Sequence, residues 1–257
     1  MNAAPSVRPV RNRDAMSPVQ TNFLSTKSIP VGERLIVALD VPTNEDAIDL
    51  VETLGDAVRF YKVGLEIVMG GRWTELVDFL VNKHKDVMLD IKFFDVPETV
   101  GAAVKQAVKQ RVRFVTVHGD DQMLRAAIQE KNGVQILAVT VLTSMNSIDI
   151  EEFGFTVPVE ELVLSRAKRA LRIGCDGVIS SGLEAPELRR SLGDKFLIVT
   201  PGIRPVKNVD DQKRTVDVEE AFTNGADYIV VGRPIRNASE PRKAAEDIQK
   251  RIATLFP

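Results

Sequence analysis

Val87-Met88-Leu89-Asp90-Ile91-Lys92-Phe93-Phe94-Asp95-Val96-Pro97 is the most informative stretch of this 257-residue chain. An apolar run leads straight into two carboxylates and an ammonium, with a proline just beyond. Asp90 and Lys92 lie two apart, so an extended strand puts both on one face. Charges gathered into so small a region cost stability unless they pair or act on something. The pattern therefore reads as a buried strand that emits a site at its end.

Working outward, the same kind of run recurs along the chain. Leu35 to Leu39, Val58 to Val63, Val87 to Ile91, Phe114 to Val117, Val134 to Leu142, Gly177 to Ile179, Phe196 to Val199 and Tyr228 to Val231 make eight. Between and after them lie segments with apolar residues at helical spacing: Asn44 to Leu54, Trp73 to Lys83, Glu98 to Lys109, Met123 to Lys131, Val159 to Ile173, Ala185 to Ser191, Val218 to Asn224 and Ala244 to Leu255. Strand and helix alternating eight times predict an α/β chain folded as a parallel (β/α)8 TIM barrel. A doubly wound open sheet is the structural alternative.

Composition agrees with one such domain. At 44% hydrophobic residues the chain can bury a substantial core, and its formal charge of -2 gives no footprint for nucleic acid. No apolar stretch approaches the roughly 20 residues that span a bilayer. The single cysteine, Cys175, rules out an internal disulfide and the usual zinc clusters. The first thirty residues differ, with Arg8, Arg11, Arg13 and Lys27 against Asp14, and with Pro5, Pro9 and Pro18 but no apolar period. They read as a flexible extension, 1–30, ahead of a barrel domain, 31–257. The segment lacks the apolar core of a secretory signal, so a cytoplasmic protein is expected. A transit peptide is the alternative reading of the same arginines and serines.

In a barrel of this kind, functional groups gather where each strand gives way to its helix. Asp40 follows the first run and Lys62 closes the second. Asp90, Lys92 and Asp95 follow the third, His118 the fourth, Thr143 the fifth and Ser180 the sixth. Pro201 and Arg204 follow the seventh, and Gly232 with Arg233 the eighth. Each has a plainer reading. Asp40 could cap the next helix, His118 could be a hydrogen-bonded strand end, and the charges could pair purely for structure. Lys62 resists that treatment: between Tyr61 and Val63 in an apolar strand it requires a carboxylate partner or an anionic ligand. Gly232-Arg233-Pro234 suits a phosphate, since glycine lets the backbone approach and arginine supplies a forked cation. Residues 200–214, without a regular period, read as a loop able to fold over a ligand.

Taken together, Ala38-Leu39-Asp40, Lys62-Val63-Gly64, Asp90-Ile91-Lys92-Phe93-Phe94-Asp95-Val96-Pro97 with Thr99, Leu142-Thr143-Ser144-Met145, Thr200-Pro201-Gly202-Ile203-Arg204, Asp211-Gln212-Lys213-Arg214 and Val231-Gly232-Arg233-Pro234-Ile235 resemble the bacterial-type orotidine 5'-phosphate decarboxylase family, in order from Arg34 to about Arg236. The resemblance implies a carboxy-lyase without cofactor or metal. Such an enzyme converts orotidine 5'-phosphate to uridine 5'-phosphate and carbon dioxide, the last step of pyrimidine nucleotide synthesis.

It further implies that Asp40 holds the ribose hydroxyls, that Lys62 lies between ribose and carboxylates, and that Lys92 protonates the ring carbon with Asp90 beside the departing carboxylate. Asp95 and Thr99 would reach into the partner's site of a homodimer. Thr143 would recognise the base, Gln212 would bridge base and phosphate, and Arg204, Gly232 and Arg233 would bind the phosphate. A lysine about 4 Å from the developing charge, at an effective dielectric near 20, offers roughly 4 kcal/mol, about a thousandfold in rate. The remainder must come from a rigid array of charges and from binding of the remote phosphate.

Gly119-Asp120-Asp121, and Thr215-Val216 after Arg214, depart from the family pattern; the two aspartates can serve to cap the next helix. The alternative is a magnesium-dependent sugar-phosphate decarboxylase or aldolase of the same barrel superfamily. There an acidic residue is expected where Lys62 stands, and a cation repels Mg²⁺.

Overall fold

A computed structural model describes residues 22–118, 120–204 and 215–257. Its strands are β1 (Leu35–Ala38), β2 (Phe60–Gly64), β3 (Asp86–Phe93), β4 (Phe114–His118), β5 (Gln135–Val139), β6 (Gly177–Ile179), β7 (Leu197–Thr200) and β8 (Tyr228–Val231). All neighbours pair parallel, and β1 pairs with β8 through Leu35↔Ile229 and Val37↔Val231, closing the barrel. Closure excludes the open-sheet alternative.

Helices α1 (Asn44–Leu54), α2 (Leu65–Met69), α3 (Trp73–Asn82), α4 (Pro97–Lys109), α5 (Asp121–Glu130), α6 (Ser147–Glu152), α7 (Val159–Ile173), α8 (Ala185–Leu192), α9 (Val218–Thr223), α10 (Arg233–Arg236) and α11 (Pro241–Leu255) follow the strands. The period of two along each strand separates two cores. Leu35 and Val37 face the helices, while Ile36 and Ala38 fill the barrel with Phe60, Met88, Phe114, Leu137, Val139, Val199 and Tyr228.

Inside the barrel the layers change character with height. Phe60, Phe114 and Tyr228 pack ring against ring at the base, with centroids 5.1–5.9 Å apart. Two residues further along β2 and β4, the inward positions become Lys62 and Thr116, and on β3 Met88 gives way to Asp90. An apolar floor therefore carries a charged layer just below the rim.

Several boundaries shift from the sequence reading, and two of the shifts have identifiable reasons. β3 continues to Phe93 rather than stopping at Ile91, because an irregularity between Leu89 and Phe93 carries the charged residues within the strand. β5 stops at Val139 rather than Leu142: the Thr140 hydroxyl donates to Ile179 O at 2.9 Å and Arg166 donates to Thr140 O at 2.6 Å, drawing the chain off the ladder. Residues 22–30, read from the sequence as the end of the extension, run along the barrel base. There Phe23 N–H donates to Thr223 O at 2.8 Å and Lys27 pairs with Asp227 at 3.0 Å.

Candidate active site

β1 to β3 bring four charged side chains together in alternating sign. The Lys62 ammonium lies 2.7 Å from Asp40 Oδ1 and 3.5 Å from Asp90 Oδ2, and the Lys92 ammonium lies 3.0 Å from that same Asp90 oxygen. The Thr116 hydroxyl donates to the other Asp90 oxygen at 2.9 Å. Asp40 does not cap α1; Thr43 does, accepting from Asp46 N–H. Asp40 is thus free to face Lys62 across the β1–β2 pair, where Ala38 stands opposite Lys62.

Burial and pairing pull in opposite directions here, and pairing wins. Burial alone would lower the pKa of Lys62, but Asp90 and Asp40 outweigh it and hold the ammonium above its ordinary value. Burial would raise Asp90, yet Lys62, Lys92 and the Thr116 hydrogen bond keep its carboxyl below the usual range. Lys62 and Asp90 are therefore both held in their charged forms at neutral pH. Gly64, two residues beyond Lys62, leaves room for this: a Cβ there would stand 3.1 Å from both Asp40 Oδ1 and Lys62 Nζ.

Asp40, Lys62, Asp90 and Lys92 line one side of a cavity of about 330 Å³ at the carboxyl end of the barrel. Thr143 and Ser144 from the β5 loop, Pro201, Gly202 and Arg204 after β7, and Gly232, Arg233 and Arg236 after β8 line the rest. The carboxylate–ammonium array thus stands on one wall and three arginines on another. Apolar Ala38, Met88, Val139, Ile179 and Val230 form the floor between.

The sequence reading missed three contributors. Ser144 and Arg236 sit in stretches whose signal is carried by their neighbours Thr143 and Arg233. Thr116 lies inside an apolar strand with no local mark of function.

Other expected residues fall elsewhere. Asp95 and Thr99 are exposed and outside this cavity; Asp95 Oδ1 accepts from Val96 N–H at 2.7 Å. His118 faces a second, mostly apolar cavity of about 740 Å³ with Phe94, Met145, Phe153 and Phe155. Burial, with Arg166 and Lys92 nearby, lowers the His118 pKa and favours neutral imidazole. Ser180 is buried against Glu184 rather than at the cavity. Asp120 caps α5, and Asp121 pairs with Arg169 at 2.9 Å. Gln212 and the rest of 205–214 lie outside the described residues. A divalent cation placed between Asp40 and Asp90 would meet the Lys62 ammonium, so this donor set does not fit a metal.

Fold and site define a (β/α)8 barrel enzyme whose cavity at the carboxyl end of the strands is lined by arginines and by an alternating array of carboxylates and ammoniums. Residues 33–248 match the Orotidine 5'-phosphate decarboxylase / HUMPS family, and the chain belongs to it. A protein of Methylococcus capsulatus named orotidine 5'-phosphate decarboxylase is 58% identical over 237 residues, 91% of this chain and 98% of that one. One of the same name from Xanthomonas euvesicatoria is 48% identical over 228 residues, covering 88% of this chain and 94% of its own. Among solved structures, the orotidine 5'-phosphate decarboxylase of Lactobacillus acidophilus superposes with a TM-score of 0.76 at 37% identity, covering 86% of this chain and 99% of that one.

Proposed function

We propose that the chain converts orotidine 5'-phosphate to uridine 5'-phosphate and carbon dioxide, the last step of pyrimidine nucleotide synthesis, as a cytoplasmic homodimer using no cofactor. The observation that carries this reading is the unbroken series Asp40, Lys62, Asp90, Lys92 along one wall of the cavity.

Breaking the bond between the ring carbon and the carboxylate releases carbon dioxide and leaves an electron pair in the ring plane. The ring's π system cannot delocalise that pair, so nearby positive charge is the remedy available to side chains. The Lys92 ammonium supplies it and then gives its proton to the carbon; the amine regains a proton from water. Asp90 lies beside the departing carboxylate and holds Lys92. Asp40 takes the ribose hydroxyls, Lys62 lies between the ribose and the carboxylates, Thr143 takes the base, and Arg204, Gly232 and Arg233 take the phosphate, with Gln212 bridging base and phosphate. A cavity of about 330 Å³ is in the range of small-ligand sites. Binding of the remote phosphate holds the reacting ring against the charge array.

The dimer reading is supported by the apolar surface beside the site. Phe94 and Val96, which flank Asp95, are 67% and 62% exposed, and Leu65, Met69 and Phe153 are exposed as well. A second copy covering this face would receive Asp95 and Thr99 in its own site. Cytoplasmic residence follows from a charged nucleotide substrate that does not cross membranes unaided. Among the described residues, no helix is long and apolar enough to cross one.

The test is loss of orotidine 5'-phosphate absorbance with purified protein in excess chelator. Sustained turnover is expected, and none at any chelator concentration overturns the reading. Mixing inactive Lys92→Ala and Asp95→Ala proteins should restore about a quarter of wild-type activity, because each mixed dimer regains one intact site. No recovery on mixing removes the shared-site arrangement.

A further inference from the structure

Thr116 is fully buried at the middle of β4 and does not line the cavity. Its surroundings on β3 are irregular. The two strands pair at Met88↔Phe114 and Leu89↔Val115, and next at Phe93↔Val117, so Asp90, Ile91 and Lys92 all stand opposite Thr116 alone. Such a bulge takes backbone groups off the ladder and re-aims side chains. Within it Lys92 has φ +54°, a left-handed conformation that a lysine keeps where its surroundings hold it there.

One hydroxyl does the holding. The Lys92 N–H, displaced from the ladder, donates to Thr116 Oγ1 at 2.9 Å. The proton on that oxygen has two acceptors in view: Asp90 Oδ1 at 2.9 Å and Leu89 O at 3.5 Å. The shorter contact is to a charged acceptor, so the proton goes to Asp90. A closed ring results: Thr116 to Asp90 Oδ1, Asp90 Oδ2 to the Lys92 ammonium at 3.0 Å, and Lys92 N–H back to Thr116. Both the backbone and the ammonium of Lys92 are thereby referred to the same carboxylate.

We propose that Thr116 is a positioning residue for the decarboxylation, its hydroxyl locking the Lys92 backbone and the Asp90 carboxylate into one unit that aims the ammonium at the reacting carbon. This rests on the decarboxylase reading of the site. Because Thr116 itself does not reach the cavity, its loss alters the chemical step and leaves substrate affinity in place. Valine keeps the shape and removes both hydrogen bonds, taking from the half-buried Lys92 N–H its Thr116 acceptor. Serine keeps the hydroxyl.

Thr116→Val is expected to lower kcat about 100-fold, the scale of a misplacement near 1 Å, with KM within about threefold. Thr116→Ser is expected within about threefold of wild type in both. A valine variant with kcat within about threefold of wild type, or a serine variant as impaired as valine, overturns the role. A crystal structure of the valine variant gives a readout independent of turnover: the Lys92–Asp90 contact should open beyond hydrogen-bond reach. Retention of that contact with Lys92 still left-handed overturns the positioning role whatever the activity. If wild type lacks turnover while the contact opens in the variant, the decarboxylase reading fails and the locking geometry stands. Should valine prevent folding, Thr116→Ala read against Thr116→Ser makes the same comparison.

Discussion

The two ends of the barrel both carry buried charge, and they use it in opposite ways. At the base, Asp227 is fully buried, and its two oxygens accept from Ser25 Oγ, Lys27 Nζ, Arg189 Nη2 and Ile198 N–H at 2.5–3.0 Å. Four donors fill the lone pairs of a carboxylate. Beside it Arg113 reaches Glu33 and Asp86, each at 2.7 Å, and the Tyr228 hydroxyl at 2.9 Å, closing the floor under the aromatic layer. At the rim, the Asp40 and Lys92 side chains are 43% and 33% exposed toward the open end. They keep capacity for a ligand. A charge cluster whose bonding capacity is filled by protein holds the fold, and one whose capacity faces a cavity is available for chemistry.

Exchanging the consequences of the two clusters is the way to break that contrast. The largest effect should come from Lys92→Ala, expected to cut kcat about a thousandfold or more, because the cation facing the developing charge is gone. Uridine 5'-phosphate binding and the thermal midpoint should stay close to wild type, since Asp90 keeps Lys62 and Thr116 as partners. Unchanged turnover in that variant would sink the mechanism.

Asp227→Ala should do the reverse. Stranding Arg189 and Lys27 without their carboxylate should cost about 3 kcal/mol of stability in urea unfolding. The kcat of the folded fraction should remain within about twofold. A large kcat loss without a stability loss would erase the distinction between the two ends.

Gly64→Ala sharpens it on the smallest scale. The backbone there, at φ -108°, accepts any residue, so the added methyl acts solely by crowding Asp40 and Lys62. About a tenfold fall in kcat/KM is expected with little change in melting temperature, which steady-state kinetics beside a thermal melt will read.

Much of this is legible in the amino-acid sequence. The eight apolar runs mark eight strands, and the helices over Asn44–Leu54 and Val159–Ile173 fall within the segments their spacing predicts. Lys62 announced itself as a charge in an apolar strand. Short helices escaped notice: Leu65–Met69, Ser147–Glu152 and Arg233–Arg236 are too brief for a 3.6-residue period to emerge. Its position after a strand puts Ser180 at the rim, but its hydroxyl turns inward to Glu184, a contact that depends on how the following turn packs.

The amino-acid order by itself determined the barrel and which residues stand at its rim. Strand periodicity is a local property: it assigns each side chain to a face, and the next helix start assigns it to an end. Only the tertiary structure decided who neighbours whom. The partnership of Asp40 with Lys62 depends on how β1 and β2 register, and that of Lys92 with Asp90 on a bulge that no local pattern displays. Thr116, 24 residues beyond Lys92, meets it only because β4 closes against β3. Hydrogen bonds and ion pairs act over about 3–4 Å of space, and register and closure decide which distant residues come that near.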